Sequence, residues 1–140
     1  MGRDGFPLSA PAAGSQPSDA AGGHGGAHEQ VARLIRCLVE DFCRSAYPTR
    51  RKGGLIGLAS VAIALEHRPA QVHVSQLVPP VLICFSDEDA GVRYAACEAF
   101  YNIAKVARDG VLTHLGDIFD GLCRLYADVD TAVKDGAQCL

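Results

Sequence analysis

Apolar side chains between residues 29 and 140 recur at the spacing of an amphipathic helix, and the same pattern occurs three times along the chain. Six apolar positions of the first copy reappear 43 residues later and, less perfectly, a further 41 residues on. Each copy predicts one helix, which we term helix A of its unit. The three sets are Val31, Leu34, Ile35, Leu38, Val39 and Phe42; Val74, Leu77, Val78, Val81, Leu82 and Phe85; and Leu115, Ile118, Phe119, Leu122, Cys123 and Tyr126.

A second helical pattern, helix B, follows each helix A and repeats at 41 residues. Pairs of helices repeated at about this period are typical of HEAT and armadillo arrays. The sequence therefore predicts an all-α fold, an α-α superhelix (HEAT/armadillo-like solenoid) of about two and a half helical-hairpin repeats. The units span about residues 29–66, 74–108 and 111–140, and we expect the last to be truncated because its apolar pattern still runs at Leu140.

The turns between helix A and helix B carry matching acidic residues in the second and third units. Asp89 and Asp130 lie at the expected N-cap of helix B, where an aspartate accepts hydrogen bonds from the free N–H groups of the first turn. Further acid–base pairs, six residues apart, are expected to form a ladder between neighbouring units, as they do in HEAT repeats. These residues are Asp87 and Arg93 in the second unit, and Asp128 and Lys134 in the third.

Residues 1–28 lack this periodicity and consist largely of Gly, Ala, Pro and Ser. Such a segment cannot bury enough apolar area to offset the entropy of ordering it. We therefore expect a disordered N-terminal tail over residues 1–28, followed by the repeats of residues 29–140. Gly25 and Gly26 argue against a helix between His24 and His28.

The overall charge is nearly balanced, with Lys+Arg 13 against Asp+Glu 16 and a net charge of −3. This balance argues against a nucleic-acid partner bound through positive charge. Residues 1–30 contain no apolar run of a signal peptide, and no run approaches the roughly 20 residues that span a bilayer. The six cysteines are then expected to be reduced, and the chain to be a soluble, cytoplasmic protein.

The titratable and nucleophilic residues show no pattern of an active site. The chain has no C-x-x-C motif, and Cys37 and Cys43 lie about 120° apart around one predicted helix. The G-x-x-x-G of residues 53–57 lacks the Lys-Ser/Thr of a P-loop. Helix caps explain the acidic turns, which recur in phase with the repeat. We therefore expect no enzyme activity, no metal and no cofactor.

A cluster of three cations opens the first helix B, where the helix dipole favours anions, so local helix stability does not explain it. The cluster is either a solvated turn, with Lys52 in the cationic position of the ladder, or an electropositive knob for an acidic partner surface or a phosphate group. Glycines cost about 1 kcal/mol each inside a helix, so those that follow indicate close approach of a neighbouring helix or a partner. The partner-binding candidates are Arg50, Arg51, Lys52, Gly53 and Gly54.

Three strings carry a more specific resemblance, which covers roughly residues 30–140. They are residues 51–59 (RKGGLIGLA), residues 92–108 (VRYAACEAFYNIAKVAR) and residues 119–122 (FDGL). In these strings the chain resembles the N-terminal repeats of the vacuole-morphology HEAT scaffold family. Members of that family assemble the PIKfyve (Fab-type) phosphatidylinositol 3-phosphate 5-kinase with its opposing Sac-domain phosphatase.

The resemblance implies a non-catalytic scaffold fragment in phosphoinositide metabolism. Its implied partners are the PIKfyve-type lipid kinase, the Sac-domain phosphatase and further copies of the full-length scaffold. The implied location is the cytoplasmic side of endosome and vacuole membranes, reached indirectly through the complex that controls phosphatidylinositol 3,5-bisphosphate. The alternative is a generic HEAT-repeat adaptor that binds peptide or helical segments in a concave groove through exposed residues of its B helices.

Overall fold

A computed structural model describes residues 23–66 and 71–140. Helices account for most of these residues, and no strand occurs within the two ranges, so the all-α prediction is confirmed. A π-helical segment, Leu38–Cys43, extends α1, and a 3₁₀ segment, Arg108–His114, connects α4 to α5. The six α-helices are α1 (Gly23–Cys37), α2 (Pro48–Ala64), α3 (Gln71–Cys84), α4 (Ala90–Ala107), α5 (Leu115–Tyr126) and α6 (Thr131–Gln138).

The helices stack in two layers, as in an α-α solenoid. Within each unit the two helices pack as a hairpin: the π-helical end of α1 against α2, α3 against α4, and α5 against α6. Between units, α4 contacts both α2 and α6, which places the three B helices side by side. Helix α3 contacts α1 and α5 in the other layer. This arrangement confirms the predicted HEAT/armadillo-like fold class.

Helix α1 begins at Gly23, six residues before the predicted start of the first unit. The helix therefore includes the last residues of the expected tail, and the argument from Gly25 and Gly26 against a helix between His24 and His28 is wrong. This part of α1 contacts α3, where His28 Nδ1 lies 3.4 Å from Nε2 of His73, a side chain only 3% exposed. The rest of the expected tail, residues 1–22, lies outside the described residues.

The hydrophobic core lies between the two layers and runs continuously through the three units. At its centre, the rings of Phe85 and Phe100 meet edge to face with their centroids 5.7 Å apart. Such continuity explains why each unit depends on its neighbours, since one hairpin alone would leave much of this surface in water. Fully buried side chains include Leu55, Leu58, Leu77, Val78, Val81, Val92, Ile103, Leu125 and Val133.

Two glycines of α2 allow its close approach to the π-helical end of α1. A Cβ placed on Gly54 would lie 2.7 Å from Sγ and 2.9 Å from the backbone N of Cys43, and one on Gly57 would lie 2.7 Å from Leu38 Cδ2. A Cβ on Gly53 would meet no atom within 4 Å. Close helix packing therefore accounts for Gly54 and Gly57, but it does not account for Gly53.

No helix within residues 23–66 and 71–140 is both long enough and apolar enough to cross a bilayer.

Candidate functional site

A charged ladder joins the first unit to the second through Arg51. Its Nη2 donates a hydrogen bond to Asp87 Oδ1 at 2.9 Å. Its Nε lies 2.8 Å from Asp87 Oδ2, but the N–H does not point at that oxygen, so this contact is ionic only. Arg51 Nη1 also donates to the backbone carbonyls of Ser45 and Ala46, at 2.9 and 3.1 Å. One nearly buried guanidinium thus bonds both to the turn before its own helix and to the second unit.

Arg93 repeats the same arrangement one unit further along the chain. Its Nε and Nη2 donate to the two carboxylate oxygens of Asp128 at 2.7 and 2.9 Å. Its Nη1 donates to the backbone carbonyls of Asp87 and Glu88. The hydrogen bonds from Arg93 are the main reason that the pKa of Asp128 is lowered below its ordinary value of 3.8. The carboxylate is therefore ionised throughout the physiological range.

The position of the ladder in the first unit differs from the sequence prediction. Arg51 and Arg93 are each the fourth residue of their helix, and Lys134 is the fourth residue of α6. The assignment of this position to Lys52 is wrong, because α2 begins at Pro48 and places Arg51 there. Lys134 makes no ion pair within the described residues.

The acidic turns hold the starts of α4 and α6. Asp89 Oδ1 accepts a hydrogen bond from the backbone N–H of Val92 at 2.9 Å. Asp130 Oδ1 accepts from the backbone N–H groups of Ala132 and Val133, at 2.9 and 3.2 Å. Both aspartates therefore act as N-caps, and their oxygens are used by the fold.

Two of the five partner-binding candidates are taken up by the fold. Arg51 is 8% exposed and paired with Asp87, and Gly54 is buried against the end of α1. Arg50 and Gly53 are exposed, and Lys52 is half-buried beside the start of α4. Arg51 is therefore not a free cation as the knob interpretation supposed, because it is paired with Asp87. Partner binding at the five candidates stays a prediction, and Arg50 and Gly53 are the two that a partner could reach most directly.

A groove of about 600 Å³ runs across the B helices α2, α4 and α6. Large side chains that stand exposed to solvent line it, and the floor between them consists of small residues. Glu98 is the charged residue of the lining, and its carboxylate is the main cause of the raised pKa of the nearby Tyr94 phenol. The exposed apolar side chains are Ile56 and Ile63 of α2, and Tyr94 and Tyr101 of α4.

Sequence analysis did not select these four apolar residues. In α2 the signal was present, because Ile56 and Ile63 lie outside the set of core positions that includes Leu55 and Leu58. A helix that is apolar on the face turned away from its core has a second surface to cover. Periodicity alone could not show that α4 places its tyrosines beside that face.

The cysteines and acidic groups do not build a metal or nucleophile site in the described part of the chain. No group of three or more His, Cys, Asp or Glu side chains converges there. Burial raises the pKa of Cys43 and Cys97 to about 11 and that of Cys84 to about 12. Because a thiol reacts as its thiolate, these three sulfurs are structural at neutral pH.

Comparison with known proteins assigns the chain to a family. Residues 49–140 match the family model described as the vacuolar 14 Fab1-binding region. The chain is 47% identical over 115 residues to the Protein VAC14 homolog of Arabidopsis thaliana, an alignment that covers 82% of this chain and 15% of that protein. It is 45% identical over 114 residues to the Protein VAC14 homolog of Schizosaccharomyces pombe, covering 80% and 14%.

A third relative is the Vacuole morphology and inheritance protein 14 of Saccharomyces cerevisiae, 38% identical over 116 residues, which are 82% of this chain and 13% of that protein. The chain thus spans 13–15% of the length of these curated relatives. No solved structure matches the chain. The family match runs from the second residue of α2 through α6, and the relatives also extend over most of the chain, so the resemblance seen in the sequence is confirmed. The chain belongs to the Vac14 family.

Proposed function

We propose that this chain is the part of a Vac14-type scaffold that binds the Fab1 (PIKfyve-type) phosphatidylinositol 3-phosphate 5-kinase. The observation that carries the proposal is the family match: the region described as Fab1-binding spans residues 49–140, and in the structure those residues are the five stacked helices α2 to α6. Binding would therefore use a folded surface rather than a linear motif.

The geometry supports a scaffolding role for this surface. Both arginine–aspartate pairs of the ladder join one unit to the next. Each arginine also donates hydrogen bonds to backbone carbonyls of the turn that precedes its own helix. Hydrogen-bonded ion pairs with little solvent access hold neighbouring units in one relative position. The chain can then present a surface of fixed shape to a large partner, as a scaffold requires.

A non-catalytic role agrees with how the polar groups of the described residues are used. The carboxylates of the turns cap helices or pair with arginines, and the thiols of Cys43, Cys84 and Cys97 are buried and protonated. None of these groups is then available as a general acid, a general base or a nucleophile.

For the whole protein we extend the proposal to the other partners implied by the resemblance. These are a Sac-domain phosphoinositide phosphatase and further copies of the scaffold, with location on endosome or vacuole membranes through the complex. The name of the yeast relative, which refers to vacuole morphology and inheritance, supports the location. Segments beyond this chain would supply most of those contacts, since it spans at most 15% of the curated relatives' length.

The second candidate function is a generic HEAT-repeat adaptor for peptide or helical segments, and the groove across the B helices favours it. The two candidates differ in selectivity. A generic adaptor would bind many unrelated amphipathic segments with similar affinity, whereas a kinase-binding repeat would bind the kinase far more tightly than such peptides.

An equilibrium titration of the 140-residue chain with purified Fab1-type kinase tests the proposal. We expect saturable binding, with unrelated amphipathic helical peptides binding at least tenfold more weakly. Circular dichroism of the same sample establishes that the chain is helical. A helical chain that binds the peptides but not the kinase would refute kinase binding and favour the generic adaptor.

A further inference from the structure

The groove across α2, α4 and α6 has two apolar walls with the same spacing. Ile56 and Ile63 are 63% and 50% exposed on α2, and Tyr94 and Tyr101 are 38% and 43% exposed on α4. Seven residues are two helical turns, so each pair lies on one face of its helix about 10 Å apart. Single exposed apolar residues are ordinary, but four that converge on one groove mark an interaction surface.

The floor of the groove is built from small residues. Ala59, Ala95, Ala99 and Gly136 line it, and a Cβ added to Gly136 would lie 3.2 Å from the Tyr94 ring. A floor without long side chains lets the backbone of another helix approach to the usual 8–10 Å between helix axes. Side chains at positions i, i+3 or i+4 and i+7 of that helix would then meet both pairs of wall residues.

The charge of the groove also limits what fits in it. Glu98 is the charged side chain of the lining, and it makes no ion pair within the described residues. Lys105 lies outside the lining, with its Nζ 5.5 Å from the centre of the Tyr101 ring. A segment that covers the groove therefore needs an apolar face and, opposite Glu98, a lysine or arginine.

We propose that an amphipathic helix of the kinase docks in this groove, with apolar side chains between the two walls and a lysine or arginine paired with Glu98. This inference rests on the proposed function and names the surface and the chemistry of its partner. The alternative occupant, a second copy of this chain in a two-fold pairing, is disfavoured because it would bring two Glu98 carboxylates into the same apolar interface.

A matched pair of variants tests the place of docking. Ile56→Glu puts a charge on one wall of the groove, and Ile83→Glu puts the same charge on a similarly exposed isoleucine of α3, outside the groove. Truncation or charge at a central apolar anchor typically weakens binding tenfold or more. We expect that loss for Ile56→Glu and a change below about twofold for Ile83→Glu, with both variants retaining the helical circular dichroism spectrum.

The charge of the partner is tested at Glu98. Glu98→Gln keeps the shape and removes the charge, so kinase affinity should fall several-fold and its dependence on salt concentration should weaken. Asp120→Asn on α5 is the control, since Asp120 is an exposed carboxylate away from the groove. Equal affinity and an unchanged salt dependence in Glu98→Gln would overturn the assignment of a cationic partner.

A natural thiol gives a test on the unmodified chain. Cys139 is exposed and lines the groove, whereas Cys123 is exposed on α5 outside it. Bound kinase should slow alkylation of Cys139 and leave that of Cys123 unchanged. If kinase binds but Cys139 stays reactive and Ile56→Glu binds normally, the groove is not the site while the proposed function stands. If the helical wild-type chain fails to bind kinase, both proposals fail.

Discussion

Replacing Gly54 by alanine tests how closely α2 packs on the π-helical end of α1. The added methyl group would lie 2.7 Å from Cys43 Sγ, 2.9 Å from the Cys43 backbone N and 2.9 Å from Phe42 Cβ. Two of these three atoms belong to, or lie next to, the backbone, so they cannot move aside as the end of a flexible side chain would. The neighbouring Gly53 is the matched control, because a methyl group there meets nothing within 4 Å.

The two substitutions are expected to change stability in opposite directions. Both gain about 1 kcal/mol because alanine is the better helix former. Gly54→Ala also suffers overpacking, which typically costs 1–3 kcal/mol and is here at the upper end because the backbone is involved. The net expectation is a loss of about 1–2 kcal/mol for Gly54→Ala and a gain of up to about 1 kcal/mol for Gly53→Ala. Gly57→Ala should fall between them, since its closest contacts are the methyl groups of Leu38.

Urea denaturation of the 140-residue chain, followed by circular dichroism at 222 nm, measures these differences directly. A domain of this size shifts by about 3–5 °C per kcal/mol, so a difference of about 2–3 kcal/mol should separate the thermal melts of the two variants by about 6 °C or more. If Gly54→Ala is as stable as Gly53→Ala, the helices are not packed this closely and the reason given for Gly54 is refuted.

Two further predictions concern the ladder and the thiols. Because its native pKa is lowered, Asp128 stabilises the fold above about pH 4, and this contribution is lost as the pH falls through that lowered pKa. Asp128→Asn should lower the free energy of unfolding by roughly 1.5–3 kcal/mol at pH 7 and should weaken the fall of urea stability below pH 4. The same fall in the variant as in the wild-type chain would contradict the Arg93 contact. Iodoacetamide at pH 8 should add three groups to the native chain and six to the unfolded chain by mass spectrometry, and native labelling of Cys84 would contradict its burial. The three exposed thiols are Cys37, Cys123 and Cys139, of which Cys37 should react more slowly because its hydrogen bond to Asp41 raises its pKa.

The fold class was predictable because several independent signals agree in phase. The apolar template of helix A, the pattern of helix B and the acidic caps at Asp89 and Asp130 all repeat at nearly the same period. Stacked units reuse one packing solution, so a periodic sequence reports the architecture directly. This agreement does not extend to the turn of the first unit. There the N-cap residue of α2 is Tyr47, whose side chain makes no capping hydrogen bond.

The ladder position in the first unit was mispredicted by one residue. Aligning apolar positions at 41 residues sets Lys52 against Arg93. The residue that pairs with Asp87 is instead the fourth residue of the helix, which is Arg51 because α2 begins at Pro48. A guanidinium also reaches two carbonyls and a carboxylate together, which an ammonium group cannot do with the same planar geometry.

The groove could not be predicted from the sequence, because it depends on the relative placement of three helices. The sequence places Ile56 and Ile63 outside the core positions of α2, but it does not show what lies beside them. Only the stacking of α4 beside α2 brings Tyr94 and Tyr101 opposite them and leaves all four in contact with solvent. Helical phase reports which face a residue occupies, but it doesn't report how much of that face the next unit covers.

A competition experiment tests the central claim most directly. Fab1-type kinase is bound to an immobilised full-length Vac14-family protein, and the folded 140-residue chain is added at increasing concentration. If these repeats contain the kinase-binding surface, the chain releases the kinase in a dose-dependent manner, and its Ile83→Glu variant does the same. If the kinase stays bound at a saturating concentration of the helical chain, these repeats do not carry the kinase-binding surface and the account is contradicted.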